Sequence, residues 1–541
     1  MQEPSSTFSY SLSSNTLIVT VTAFLLAFCN HALVVKVLQT YPLNGGQTPA
    51  VLSLVLTIGG VTVLVLGLLC FQRSTKPVLV TILLMSSLAA FFMDSYGVII
   101  SDDMLRNVAH TNPAEALDLF SLKLLVYFGL LGIAPALVVA WVPLRWRGWS
   151  AETAARLKLT GATLLLVIGT TLLFGSFYAS FLREHKELRQ HANPVYFLHS
   201  AIKFATQSFQ SVSISPIATV GADARIPVSD VSRELVIMVV GETARADHFS
   251  LNGYGRDTNP RLREKNVISF TRFKACGTST AVSVPCMFML DGETKNSLEI
   301  KKQENLLDVL QRGGVNVLWR DNNSDSKGVA NRVQTEDFRS PKTNPLCDSE
   351  CRDEGMLSGL QDYIDLHPRG DILIVLHQMG NHGPAYFKRY PSAFEKFKPA
   401  CKENDLGLCS REEIGNAYDN AILYTDHFLA KAIDLLQQND SRFETALFYV
   451  SDHGESLGEN GIYLHGLPKT IAPEAQLHVP AIMWFGSRFH AANTPALREK
   501  SRVPFSHDNV FHTMLGFFEM QSSTYRPDKD ILNQAGLAPP K

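Results

Sequence analysis

Acidic and histidine residues follow three short apolar runs in the C-terminal half of the chain. The runs and the polar residues that follow them are Glu242 after 235–240, His382 after 371–377, and Asp452, His453 and His465 after 446–451. Carboxylate and imidazole groups are ligands that zinc and other transition metals favour. One such residue after a strand is usually a helix cap or a surface side chain, but three groups together indicate a shared metal site.

The segments that carry these residues alternate between strand-like and helix-like patterns. Strand-like runs lie at 235–240, 315–319, 371–377 and 446–451, and helix-like segments such as 304–313 and 417–438 lie between them. This alternation predicts a doubly wound α/β domain with buried parallel strands. In such a domain, ligand groups gather at the carboxyl ends of the strands.

A run of small polar residues lies between Cys276 and Cys286. It contains three hydroxyl side chains, those of Thr278, Ser279 and Thr280. A hydroxyl at a helix N-terminus lies where anions bind well, which would suit a nucleophile that attacks a phosphate. The alternative is that one of these residues only caps the helix, and spacing alone does not decide between the three.

Six of the eight cysteines lie in the polar half of the chain as three close pairs. The pairs are Cys276 with Cys286, Cys347 with Cys351, and Cys401 with Cys409. A metal site at the pair with three intervening residues is the alternative, but no histidine pair follows at zinc-finger distance. We therefore predict disulfides with sequential pairing, in an oxidising compartment.

The N-terminal half contains five apolar runs long enough to span a bilayer. They lie near 15–36, 48–71, 77–100, 120–143 and 159–181. The loops at 72–76 and 144–158 carry the Lys and Arg residues, whereas the loop at 101–117 is acidic. The positive-inside rule then predicts a cytoplasmic N-terminus and a C-terminal domain on the outer face of the membrane.

The predicted domains are a five-helix transmembrane domain at 1–185, a linker at 186–230 and a catalytic domain at 231–541. Within the linker, 194–213 has the pattern of an amphipathic helix, which either lies on the bilayer surface or packs on the polar domain. The chain has 541 residues and a formal net charge of −2. It lacks the basic face that nucleic-acid binding requires.

Five long motifs resemble the lipid A phosphoethanolamine transferases, a family that includes the mobile colistin resistance enzymes. The motifs are GETARADHFSLNGYGRDT, CGTSTAVSVPCMF, WRDNNSDSKGV, HQMGNHGPAYFKRYP and YVSDHGESLGENGIYLHG. The resemblance covers the whole chain. It implies an alkaline-phosphatase-like catalytic domain on a five-helix anchor in a bacterial inner membrane, with the catalytic domain in the periplasm.

The resemblance also implies roles for individual residues, because each family motif position is present. Thr280 matches the nucleophile, and His382 and His465 match histidines that handle substrate and can hold a second zinc ion. The remaining matches are zinc ligands Glu242, Asp452 and His453 together with the Thr280 oxygen, phosphoethanolamine-binding Ser324 and Lys327, and substrate-binding Asn107, Thr111 and Glu115 of the periplasmic loop. Glu455 closely follows Asp452 and His453 in the sequence, and from that position it either holds His453 from outside the ligand shell or is an exposed side chain.

The implied reaction moves phosphoethanolamine from phosphatidylethanolamine to a phosphate of lipid A through a phospho-threonine intermediate. A less negative lipid A binds cationic peptides less well, so polymyxin resistance is expected. We expect a monomer with one tightly bound zinc ion and no nucleic-acid partner. The alternatives are a zinc phosphodiesterase or sulfatase-like hydrolase, transfer to another acceptor, and a non-enzymatic membrane scaffold.

Overall fold

A computed structural model describes residues 11–43, 48–111, 113–211, 217–292, 302–489 and 494–534. The chain forms two compact units. The first unit comprises residues 1–105 and 120–205, and the second comprises residues 106–119 and 206–541. Segment 106–119 therefore belongs to the second unit, although apolar helices of the first unit flank it along the sequence.

The first unit is helical, because its long apolar segments contain few breaking residues. Its helices are Ser14–Phe28, His31–Thr40, Thr48–Leu69, Thr75–Tyr96, Leu122–Tyr127, the π-helical turn Phe128–Ile133, Ala134–Trp141, Trp149–Leu173, Gly175–Glu184 and Lys186–Gln190. In the described part of the chain, four helical stretches are long and apolar enough to cross a membrane, and a fifth is present if the first two helices, bent by 60°, count as one span. On that count the five predicted spans are confirmed.

The fifth span differs from its prediction in position. Its helix is Trp149–Leu173, so it begins ten residues before the predicted start at 159 and ends before the predicted end at 181. Residues 149–158, predicted as a loop, instead form its first turns. The reason is that Ala, Glu and Arg are good helix formers, and Glu152 lies in the first turn, where a negative charge is favourable.

Two helices pass from one unit into the other along the chain. They are Asp102–His110 and Val195–Ser211, and the second of these is the helix predicted within the linker. The boundary between the units falls at 105/106 in the first helix and at 205/206 in the second.

The second unit is built on an eight-stranded sheet. The strands of this unit are β1 Glu234–Gly241, β2 Ile268–Lys274, β3 Asn316–Asp321, β4 Gln334–Asp337, β5 Ile372–His377, β6 Glu444–Ser451, β7 Ser456–Leu457, β8 Tyr463–Leu464, β9 His478–Phe485 and β10 Phe505–Ser506. The sheet order is β10-β2-β9-β6-β1-β5-β3-β4, and β7 pairs separately with β8. The four predicted strands are β1, β3, β5 and β6, and they pair in parallel as expected.

The prediction missed β9, which runs antiparallel between β2 and β6. Proline normally counts against an interior strand because it lacks the N–H group, and β9 contains Pro480. The sheet accommodates it through an irregular register: Phe270 pairs with Ala481 and Phe273 with Val479, so the break in β2 lies opposite Pro480.

Helices cover the sheet. They are Pro113–Asp118, Pro260–Glu264, Thr280–Met287, Leu306–Arg312, Leu360–Leu366, Arg411–Asn439, Thr494–Lys500, Asp508–Phe517 and Ile531–Gln534. The longest, Arg411–Asn439, begins at a capping box in which Ser410 and Glu413 exchange hydrogen bonds. Single 3₁₀ turns connect the elements, at Ala246–His248, Ser250–Asn252, Asp353–Leu357, Tyr386–Lys388, Ser392–Phe394, Leu406–Leu408, Glu459–Gly461 and Glu474–Gln476.

The six paired cysteines form three disulfides in the second unit. They join Cys276 to Cys286, Cys347 to Cys351 and Cys401 to Cys409, which is the sequential pairing. Cys29 and Cys70 are buried free thiols in the first unit.

Candidate active site

The carboxyl ends of β1 and β6 bring three candidate ligands together. The two strands are parallel neighbours, and Gly241 at the end of β1 is paired with Ser451 at the end of β6. Glu242 and Asp452 are therefore the next residues on adjacent strands, and His453 follows. All three side chains are at most 1 % exposed. The structure thus places these candidate ligands together at the expected edge of the sheet.

Four side chains converge at this point with separations of 3.2–3.4 Å. The Thr280 Oγ1 atom lies 3.2 Å from Glu242 Oε2 and 3.4 Å from His453 Nε2. His453 Nε2 lies 3.4 Å from both Glu242 Oε1 and Asp452 Oδ2. A tetrahedral zinc site with bonds of about 2.0–2.1 Å has edges of about 3.3–3.4 Å, so these separations match the edges of such a site.

The chemistry of these atoms also calls for a cation. The Nδ1 atom of His453 lies 2.9 Å from the Gly454 carbonyl, so Nδ1–H donates there and the Nε2 lone pair faces the cluster. Asp452 Oδ2 is buried and accepts no hydrogen bond from the residues that the structure describes. Lone pairs of two carboxylates and one imidazole thus meet in a buried space, where only a bound proton or metal ion can relieve their repulsion. The residues present fit a zinc ion.

The electrostatics of the cluster favour a positive charge at its centre. Burial lowers the pKa of His453, but the Asp452 and Glu242 carboxylates outweigh burial and raise it to about 10. Burial opposes ionisation of Glu242, yet His453 holds the pKa of this carboxyl well below its usual range. Burial and the neighbouring Glu242 carboxylate raise the pKa of Asp452. The electrostatics of the cluster therefore favour a cation among these side chains at neutral pH.

The structure distinguishes the three candidate hydroxyls. Thr280 is the first residue of helix Thr280–Met287, is 4 % exposed and directs Oγ1 at Glu242 and His453. Thr278 Oγ1 donates instead to the Leu467 carbonyl at 2.6 Å. Ser279 occupies the N-cap position, but its side chain makes no capping hydrogen bond. Thr280 is therefore the hydroxyl that lies against the candidate metal ligands Glu242 and His453.

Two further histidines border the cluster. The ring centroid of His465 lies 4.3 Å from that of His453 and 5.6 Å from that of His382. His465 Nδ1 lies 2.8 Å from Glu455 Oε2, and His453, Glu455 and His465 form a second group of potential metal ligands. Both predicted histidines thus lie at the site.

The prediction that Glu455 holds His453 is wrong. His453 Nδ1 already donates to the Gly454 carbonyl, so the ring has no bond left for Glu455 on that side. Glu455 instead contacts His465 and accepts a hydrogen bond from the Tyr386 hydroxyl at 2.6 Å. Burial raises the pKa of Glu455 to about 8, above the usual range of a carboxyl group.

A polar turn after β3 carries the two residues predicted to bind phosphoethanolamine. Lys327 Nζ donates to Ser324 Oγ, and the Lys327 side chain is only 4 % exposed. Asn323 connects this turn to the cluster: its Nδ2 donates to Glu242 Oε2 at 2.7 Å, and its Oδ1 accepts from Ser324 N at 2.6 Å. Sequence reasoning missed Asn323, because an asparagine in a polar turn carries no distinctive signal.

Thr243 was missed for a similar reason. Its hydroxyl donates to Glu242 Oε1 at 2.5 Å and its backbone N–H donates to Asp452 Oδ1 at 3.1 Å. The residue has a φ of 58°, which is rare for a β-branched side chain. Its position directly after a predicted ligand was the only available signal.

The three loop candidates lie in or beside segment 106–119. Asn107 is in helix Asp102–His110, and the Thr111 hydroxyl donates to the Asn107 carbonyl at 2.9 Å. The side chain of Glu115 lies outside the described part of the chain. Within that described part, Asn107 and Thr111 make no hydrogen bond to the cluster of Glu242, Asp452 and His453.

Comparisons with known proteins identify the family to which the chain belongs. Residues 234–520 match the sulfatase family, and residues 58–209 match a family described as phosphoethanolamine transferase EptA/EptB. Phosphatidylethanolamine transferase Mcr-1 of Escherichia coli is 42 % identical over 96 % of this chain and 97 % of its own length. Phosphoethanolamine transferase EptA of Salmonella typhimurium is 39 % identical over 94 % of this chain and 95 % of its own length.

Solved structures show the same fold. The integral membrane protein lipooligosaccharide phosphoethanolamine transferase A from Neisseria meningitidis superimposes with a TM-score of 0.93 at 33 % identity, covering 98 % of this chain and 100 % of that one. The C-terminal periplasmic domain of phosphoethanolamine transferase EptC from Campylobacter jejuni is 42 % identical with a TM-score of 0.53, covering 59 % of this chain and 97 % of that one. The chain therefore belongs to the phosphoethanolamine transferase family, with apolar N-terminal helices and an alkaline-phosphatase-like C-terminal domain.

Proposed function

We propose that this protein transfers phosphoethanolamine from phosphatidylethanolamine to a phosphate of lipid A, with Thr280 as the nucleophile. The observation that carries the proposal is the Thr280 hydroxyl, which lies 3.2 Å from a Glu242 carboxylate oxygen and 3.4 Å from His453 Nε2. Asp452 Oδ2 lies 3.4 Å from the same His453 nitrogen in this buried cluster. Relatives named as phosphatidylethanolamine and lipooligosaccharide phosphoethanolamine transferases support the choice of donor and acceptor.

Glu242, Asp452, His453 and the Thr280 oxygen would hold one zinc ion. Bound zinc supplies a Lewis acid, which lowers the pKa of the threonine hydroxyl and offsets charge on the phosphoryl group. The supporting observation is the match between the separations of these atoms and the edges of a tetrahedral site. His465 and Glu455 form with His453 the second ligand group, so a second ion has candidate ligands as well.

The first half-reaction forms the phospho-threonine. Thr280 Oγ attacks the phosphorus of phosphatidylethanolamine, a bond from Oγ to phosphorus forms, and the bond from phosphorus to the glycerol oxygen breaks. His382 and His465 accept the hydroxyl proton and return it to the glycerol oxygen, so that diacylglycerol leaves neutral. Glu455 orients His465 through its Nδ1 atom.

The second half-reaction passes the group to lipid A. An oxygen of a lipid A hydrogen phosphate attacks the phosphorus, the bond to Thr280 breaks, and His382 and His465 pass the proton of the acceptor to the threonine oxygen. Lys327, held against Ser324 on the polar turn, offers an ammonium group to the phosphate oxygens. The two steps share one site, so two bulky lipids can use it in turn.

The catalytic unit would act in the periplasm, on the outer face of the inner membrane. The arrangement of Lys and Arg in the short loops supports that orientation. Each transfer adds an ammonium group beside a lipid A phosphate, so the surface attracts cationic peptides less strongly. We therefore expect resistance to polymyxins, including colistin.

Lipid A mass spectra from a polymyxin-sensitive Gram-negative host test this proposal. The wild-type chain should add the mass of phosphoethanolamine, and Thr280→Ala should not. Thr278→Ala is the matched control, because it removes a hydroxyl from the same loop that contacts the Leu467 carbonyl. If well-expressed wild type leaves lipid A unmodified and releases soluble phosphoethanolamine, the protein is a hydrolase. If another lipid or sugar gains the mass, the acceptor is wrong.

A further inference from the structure

A buried ion-pair network within the second unit connects segment 106–119 to the loop that carries His382. Asp118 ends helix Pro113–Asp118 and is 6 % exposed. Its carboxylate accepts from Lys388 Nζ at 2.6 Å and from Arg389 Nη2 at 2.5 Å. Two cations from one short stretch of chain therefore converge on a single carboxylate.

Arg389 uses all three of its nitrogen atoms on different partners. While Nη2 donates to Asp118, Nε donates to the His382 carbonyl at 2.6 Å and Nη1 donates to Glu350. The residue is 4 % exposed, so solvent does not substitute for these partners. Because a guanidinium group is planar and its donors are fixed in direction, the three partners are held in a fixed relation to one another.

The start of the His382 loop is fixed by other contacts, whereas Lys388 and Arg389 connect its end to segment 106–119. Asn381 N donates to the Glu242 carbonyl at 3.0 Å, and Gly380 N donates to Asp353 Oδ2 at 3.0 Å. These bonds attach the start of the loop to the sheet. After His382, the loop leads to Arg389, which donates a hydrogen bond to Asp118.

The buried Asp118 carboxyl group is ionised because two cationic side chains contact it. Burial would raise the pKa of Asp118, but the charge and hydrogen bonds of Arg389 and Lys388 lower it below its usual range. Asp118 is thus ionised at neutral pH. Replacing it by a neutral side chain would leave Arg389 with a weaker partner at this position while keeping the shape of the site.

We infer that Arg389 is a positioning residue, which aligns His382 when segment 106–119 is docked through Asp118. Segment 106–119 also carries Asn107 and Thr111, the predicted substrate-binding residues. The position of this segment and the alignment of His382 are therefore coupled. The role of His382 in the reaction rests on the proposed function. The mechanical coupling between the segment and the loop does not.

The test compares Asp118→Asn with a matched variant, Asp308→Asn, in the full-length protein. Asp308 is also a buried carboxylate paired with an arginine, since Arg332 contacts both of its oxygens at 2.6 Å. It lies in helix Leu306–Arg312, and in the described part of the chain its carboxylate accepts hydrogen bonds from the Asn305 N–H group and from Arg332. Both variants lose one charged partner of an arginine, so both should lower thermal stability.

Hydrogen–deuterium exchange gives the readout that does not depend on activity. In Asp118→Asn, peptides covering 106–119 and peptides covering 378–389 should both exchange about tenfold faster, because a charge-assisted hydrogen bond is lost. Asp308→Asn should change neither peptide. Faster exchange at 106–119 with no change at 378–389 would overturn the coupling, as would equal effects from both variants.

Kinetics separate alignment from simple loss of stability. If the transfer reaction proceeds as proposed, Arg389→Lys should lower kcat about 10–100-fold in protein that remains folded, because small misplacement of a catalytic group is costly. Arg332→Lys should leave kcat near that of wild type. An unchanged kcat in Arg389→Lys would overturn the positioning role. If the wild type shows no transfer activity, the proposed function is rejected, but the hydrogen–deuterium exchange comparison still tests the coupling.

Discussion

Thr243 links both carboxylates of the proposed zinc site, and we predict that its hydroxyl sets zinc affinity. The hydroxyl donates to Glu242 Oε1 at 2.5 Å, the backbone N–H donates to Asp452 Oδ1, and the Thr243 carbonyl accepts from the Tyr418 hydroxyl at 2.7 Å. A φ of 58° at a β-branched residue costs about 1–3 kcal/mol. The surrounding contacts must therefore outweigh this cost.

The informative change is Thr243→Val, which keeps the branched shape and removes the donor. A hydrogen bond to a charged group contributes about 1.5–3 kcal/mol. Since about 1.4 kcal/mol corresponds to a tenfold change in affinity, zinc should bind about 10–150-fold more weakly. Thr243→Ser keeps the hydroxyl, so its affinity should stay within about threefold of wild type.

Competition with a chelator of known affinity measures zinc binding to full-length protein in detergent. The expected order is wild type and Thr243→Ser tightest, then Thr243→Val. If Thr243→Val binds as tightly as Thr243→Ser, the hydroxyl does not orient Glu242 and the reasoning fails. Thr243→Gly adds a check, because it relieves the backbone strain but should still bind zinc weakly.

Three further predictions concern the same unit. Asn323→Ala should slow lipid A modification about tenfold. Asn323→Asp should slow it more, because a second carboxylate would lie 2.7 Å from Glu242. A variant Asn323→Asp that is more active than Asn323→Ala would contradict this prediction. Burial, and then the Asp371 carboxylate, raise the pKa of Glu234 far above its ordinary value, so its stabilising contribution is complete below about pH 4.3 and is lost as pH rises toward the folded-state pKa. Glu234→Gln should therefore raise Tm at pH 8 by about 2–4 °C and less at pH 5, and an equal shift at both values would contradict the titration. Zinc added to metal-free protein should release protons, because His453 must lose its Nε2 proton before it binds zinc. An indicator dye in weak buffer measures the released protons. Zinc binding without proton release would show that His453 is already neutral.

The sequence predicted the parts of the molecule that depend on local pattern. The apolar runs located the ends of β1 and β6, which predicted that Glu242, Asp452 and His453 lie at one edge of the sheet, and the family resemblance selected these three as the zinc ligands. The membrane-spanning helices followed from their length and composition, apart from the position of the fifth. The disulfide pairs were close enough in sequence to be matched as neighbours.

Contacts between distant positions were not predictable in this way. Asp118 and Arg389 are 271 residues apart, and neither carries a motif of its own. The partner of Glu455 depends on the direction of one side chain after a tight turn, where a Cβ atom on Gly454 would lie 2.0 Å from the Ala475 carbonyl oxygen. Strand β9 contains a proline, which local propensity counts against a strand. Tertiary packing decides each of these features.

The division of the chain has a practical consequence for protein engineering. Because segment 106–119 belongs to the second unit, a soluble fragment that begins after residue 205 omits part of that unit. Such a fragment would retain the metal ligands and Thr280 but would leave Arg389 and Lys388 without the Asp118 carboxylate. Inhibitors selected against the fragment would meet an artificially exposed basic surface. Grafting residues 106–119 onto the fragment through a short linker would give a more faithful screening target.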